Sequence, residues 1–168
     1  MSVPQFRPVR ITARQDYAEW CESQARALRE CRWDGLDVTD LADELEAMSR
    51  AERRSLESAL AIVLLHLLKE MYQPKQRTKS WGYSVTEHAR RVVRLVGESP
   101  SLKSQSSWDE SLVEAYDTAR LRAASETGLD LESFPPTLTA DVNRLLDEAL
   151  RVADEHSRAR SQERKTER

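Results

Sequence analysis

The stretch HLLKEMYQPKQRTKSW, residues 66–81, gathers the side chains best suited to chemistry. His66 and Lys69 lie in or beside the most apolar run of the chain, AIVLL at 61–65. An imidazole can take up and return a proton near neutral pH if a partner fixes its tautomer. On a helix, His66 neighbours Ile62, Val63, Lys69, Glu70 and Gln73. Glu44 and Glu57, on acidic helices, are the carboxylates that could serve it. The competing reading is a buried histidine that pins two helices through a hydrogen bond, whose loss would cost about 1–3 kcal/mol. Pro74 then cuts the helical pattern, because it lacks an amide donor and disfavours helix in the residue before it.

The cations that follow form a second candidate site. Lys75, Arg77 and Lys79 surround the proline turn, with Tyr72, Trp81 and Tyr83 interleaved, and Arg90, Arg91 and Arg94 come after. Aromatics among cations can stack bases while the cations hold phosphates. They can equally lock onto acidic helices of the same fold or meet an acidic protein surface. The charge map makes either plausible. Residues 16–57 hold 6 cations against 12 anions, residues 74–103 hold 7 against 2, and residues 108–155 hold 4 against 12. The whole chain has a net charge of -3, which argues against a dedicated duplex-DNA binder.

Other constellations are weaker. Asp40, Asp43 and Glu44 share a helical stretch that His66 could approach, but paired Glu-x-x-His motifs are missing, so no metal site is expected. Those carboxylates suit the positive end of a helix macrodipole. No nucleophile elbow, phosphate-binding glycine loop or cysteine metal cluster is present, and no cofactor is expected. Ser55 and Ser58 fall near His66 in helical projection, without an oxyanion hole to make them nucleophiles. Arg151 and His156 stand in an Arg-x4-His spacing that resembles the active motif of helical HEPN-type ribonucleases. The bland reading is a solvated helix end, with Val152 where that motif favours a polar residue.

Helices must position all of these groups. Hydrophobic content is 39% and charged content 33%, with only 4 glycines and 6 prolines, so little turn chemistry exists for short strands. The first helix is predicted from about Arg14 to Cys31, with Tyr17, Trp20, Cys21, Gln24, Leu28 and Cys31 at helical spacing. Gly35 breaks it, and Asp37 or Thr39 caps a second helix bearing Leu41, Leu45 and Met48. Ser49 and Glu52 form a capping box for a third helix from Arg50, although the two could be one continuous helix. Leu56, Leu60, Val63, Leu67 and Met71, with Leu64 and Leu68 beside them, make this the core element. Ser84–Glu87 and Ser107–Glu110 repeat the box for a fourth helix stopping at Gly97 and a fifth capped by Gly128. Phe134 anchors the loop before two prolines. The last helix runs from about Ala140 with Val142, Leu145, Leu146, Ala149 and Val152 inward. The expected fold is an all-α, single-domain bundle of five or six helices spanning 14–156. An N-terminal arm at 1–13 precedes it and a basic, disordered tail at 157–168 follows.

Cys21 and Cys31 lie ten residues apart on one predicted helix, about 15 Å, beyond disulfide reach. A reducing, cytoplasmic location follows from that reading. No apolar run approaches the roughly 18–20 residues of a membrane span. The N-terminus has no apolar core of a secretory signal.

The block LADELEAMSRAERRSLESALAIVLLHLLKEMYQPKQRTKSW, residues 41–81, resembles the signature of the domain of unknown function 29 family. DYAEWCESQARALRE, SPSLKSQ and AYDTARLRAASETGLDLESFPP carry the resemblance over residues 16–136. It implies an all-α bacterial protein, often cyanobacterial, with no assigned activity. Members usually close soon after the prolines, so the helix at 140–156 is expected to be an addition that needs a cover for its apolar face. Together these readings favour a non-enzymatic interaction module that uses residues 75–94 against an acidic protein surface or a second copy. The alternative is an RNA- or single-strand-binding or processing protein using the same cations.

Overall fold

In a computed structural model, residue 12 and residues 15–166 are described, with side chains through Glu155. Among the described residues the chain is all-α, with five α-helices and no strand. They are α1 (Tyr17–Arg29), α2 (Val38–Tyr72), α3 (Lys79–Glu98), α4 (Gln105–Thr127) and α5 (Ala140–Thr166). Packing divides the chain into two compact units between Arg50 and Ala51. The expected N-terminal arm, apart from Thr12, and the first helical residue Arg14 lie outside the described residues.

In the first unit α1 is opened by Asp16, whose carboxylate accepts from the Glu19 amide at 3.0 Å. Asp37 does the same for the Asp40 amide at 3.3 Å, starting α2. Gln24 ties the hairpin by accepting from the Asp37 amide at 2.8 Å, and the Tyr17 hydroxyl donates to Glu44 at 3.0 Å. That bond holds the phenol proton, and with Cys21 beside it raises the Tyr17 pKa to about 12. Trp20, Gln24 and Ala27 are buried here. Leu28, Leu45 and Met48, expected to face inward, are instead exposed, as is Tyr17.

α2 is one unbroken helix of 35 residues, so Ser49 stands inside it and caps nothing. Its second half is the centre of the second unit. Leu56, Leu60, Val63, Leu64, Leu67 and Leu68 are all buried, each worth about 1.5–3 kcal/mol of apolar transfer. Met71, at the end of that stripe, is partly exposed. α4 runs parallel to this half of α2, as a near-constant pairing offset shows: Arg53 meets Glu110 and Lys69 meets Glu126. α3 begins at Lys79, one turn before the predicted Ser84 box, and continues through Gly97 to Glu98. α4 begins at Gln105, ahead of its predicted Ser107 box.

Gly128 does terminate α4. Its φ of 72° is left-handed and its amide reaches Ala124 O at 3.0 Å. Phe134 is buried against Tyr72, ring centroids 4.8 Å apart, and the Tyr116 hydroxyl donates to Pro135 O at 2.9 Å. The loop is thus held at its prolines. α5 buries Val142, Leu146 and Ala153 in the same core. Its apolar face is therefore covered within the unit, and its backbone is helical to Thr166, through most of the expected tail.

Candidate functional site

The end of α2, the start of α3 and the end of α4 bring together one polar cluster. Lys69 is buried, only 8% exposed, and its ammonium donates to Glu126 at 2.7 Å. The same ammonium lies 4.5 Å from the centroid of the Trp81 ring, a cation–π distance. Arg122 adds a second cation to Glu126 at 3.5 Å. The Lys69 hydrogen bond, more than the field of either cation, holds the Glu126 carboxyl below its ordinary pKa.

His66 sits one turn before Lys69, with its ring 6.3 Å from Trp81. Its Nδ1 is buried and has no hydrogen-bond partner among the described residues. Burial lowers its pKa first, and Lys69, His88 and Arg122 lower it further against the opposing pull of Glu126. The imidazole is therefore neutral near pH 7. His88 shares this face but spends its Nδ1 proton on Ser84 O, 3.0 Å away.

Glu44 and Glu57, the carboxylates expected near His66, have other partners. Glu44 accepts a hydrogen bond from the Tyr17 hydroxyl and Glu57 accepts from Ser111 at 3.3 Å. Glu126 is the carboxylate near His66 and Lys69, and no local spacing could have revealed it, since 57 residues separate it from Lys69. What the cluster can do chemically is limited. Lys69 is engaged on two sides, and His66 Nδ1 has no hydrogen-bond partner among the described residues.

The basic segment sorts into two sets. Trp81 is half-buried on Lys69, Arg90 is half-buried, and Arg77 pairs with Glu70 at 3.1 Å. Lys75, Lys79, Arg91 and Arg94 are exposed and make no ion pair among the described residues. Tyr83, 74% exposed, lies among them. On α3 the exposed positions 79, 83, 87, 91, 94 and 98 recur every three or four residues, so they form one solvent-facing ridge that carries Lys79, Arg91 and Arg94 with Glu87 and Glu98. Sequence spacing does not show this division, because which cations meet carboxylates depends on how the helices pack.

Among the described residues no His, Cys, Asp or Glu trio converges in a way that could hold a metal ion. Asp43 points to solvent while Asp40 and Glu44 are half-buried. Arg151 is held by Glu148 and Glu155, an arrangement that raises its own pKa and lowers that of Glu148. His156 lies outside the described side chains.

The model of the Domain of unknown function DUF29 matches residues 14–150. The chain belongs to the DUF29 family. Comparison with curated proteins and with solved structures gives no match in either case. The DUF29 match continues past Pro136, where the sequence reading ended it, and takes in the first turns of α5. That helix is thus part of the DUF29 core as far as Leu150, in keeping with Val142 and Leu146 being buried there. No helix among the described residues is long and apolar enough to cross a membrane.

Proposed function

We propose that this chain is a cytoplasmic, non-enzymatic interaction module whose α3 ridge docks an acidic protein surface. The observation that carries the reading is the placement of unpaired cations at the positive end of a helix. Lys79 is the first residue of α3, Lys75 stands just before it, and the first turn holds no acid. Cations there oppose the macrodipole and cost stability, about 0.3–1 kcal/mol each, with no carboxylate paired to them among the described residues. Such a cost is explained by a partner with negative charge. Arg91 and Arg94 extend the same potential along the ridge, and Tyr83 adds an exposed aromatic anchor of the type enriched at interfaces. The two unpaired cysteines suit a reducing compartment.

Single-stranded nucleic acid fits less well. Stacking needs free aromatic faces, and Trp81 lies over Lys69, leaving Tyr83 on the ridge. Pull-down with the wild-type chain, with and without nuclease, separates these readings. Docking to protein predicts nuclease-resistant capture that disappears in Lys79→Gln/Arg91→Gln/Arg94→Gln. Capture that vanishes on nuclease treatment would contradict it.

A further inference from the structure

We infer that the acidic surface met by the α3 ridge is the outer face of α4 on a second copy of this chain. The inference rests on the ridge reading above and supplies its partner. Along α4, Val113, Asp117 and Leu121 recur every four residues with Glu114 beside them, and all four are exposed. Val113 and Leu121 are each 60% exposed, unusual for branched apolar side chains on a helix that otherwise buries Leu112, Ala115, Tyr116 and Ala119. Neighbouring carboxylates are already used: Glu110 pairs with Arg53 and Glu126 with Lys69. Glu114 and Asp117 make no ion pair among the described residues.

The two faces are complementary in charge and in pattern. One offers Tyr83, Arg91 and Arg94, the other Val113, Glu114, Asp117 and Leu121. Each stripe covers at least eight residues, about 12 Å of helix. An aromatic between cations can rest on the apolar pair while the cations reach the flanking carboxylates, which is the composition of a specific interface. Glu87 on the α3 stripe repels Glu114 and Asp117 and so disfavours the registers that would oppose them. Two arrangements satisfy this pairing: a two-fold dimer in which each copy exchanges ridge and α4 face with the same neighbour, or a head-to-tail contact in which each copy gives its ridge to one neighbour and its α4 face to another.

Sedimentation equilibrium of the full chain over a dilution series tests this. The wild type should associate reversibly, and added salt should weaken it. Arg91→Glu/Arg94→Glu and Glu114→Arg/Asp117→Arg should each sediment as monomer. An equimolar mixture of the two should associate again, since each reversed face finds its complement on the other variant. The gentler Glu114→Gln/Asp117→Asn change should weaken association about tenfold, and it guards against a reversal that fails to fold. A wild type that stays monomeric while its ridge still captures a foreign acidic protein would overturn the inference and leave the ridge reading standing. Association unchanged by either reversal would also overturn it.

Discussion

At the scale of single residues, His66 is a titration sensor of the fold's integrity. Its neutral form is favoured in the native state by burial and by Lys69, His88 and Arg122, with Glu126 opposing. An unfolded chain has its imidazole near the ordinary value of 6.5, so between the two values the unfolded state binds more protons. Stability from this group is fully present above about pH 6.5 and is lost as pH falls through the lower native value. Urea midpoints measured from neutral to mildly acidic pH should therefore decline, and the decline should shrink in His66→Gln. A midpoint that rises on acidification would mean that Glu126 dominates the histidine. Glu126 itself titrates lower and adds a separate loss at more acidic pH, because its native pKa is depressed by Lys69.

At the scale of elements, α2 is the feature most sensitive to a wrong reading. Ser49 with Glu52 has the form of an N-cap box, yet it lies inside a continuous helix. Ser49→Ala should be neutral or slightly stabilising, since alanine is the better helix former. A true cap would lose about 1 kcal/mol in the same urea titration. Gly128→Ala should lose about 1 kcal/mol, from the left-handed backbone alone, because a Cβ there would meet nothing within 4 Å. All three Ser-x-x-Glu boxes misled in this way. Ser and Glu at that spacing are also ordinary residues of an exposed helix face; side-chain caps on the third amide occur at Asp16, Asp37 and Thr139, which open α1, α2 and α5, whereas Thr78 and Ser104 open α3 and α4 with no side-chain cap bond. The core was plain from periodicity, because leucines at three- and four-residue spacing through Leu56–Leu68 have one stable outcome. The Lys69–Glu126 pair was not, because it depends on how α2 and α4 lie side by side, which no local pattern encodes.

At the scale of the whole molecule, charge is distributed so that the fold neutralises part of it and exposes the rest. Arg53, Lys69 and Arg77 are spent on internal carboxylates, whereas Lys75, Lys79, Arg91 and Arg94 make no such pair among the described residues. On the proposed function, the cations of the first group serve stability and those of the second serve binding. That division is most directly tested by measuring folding and capture on one preparation of Lys79→Gln/Arg91→Gln/Arg94→Gln. The expected result is an unfolding midpoint equal to or slightly above wild type, from relief of the dipole conflict at Lys79, together with loss of nuclease-resistant partner capture. A clear fall in the midpoint with capture retained would show that these cations serve the fold and that the ridge is not the binding surface.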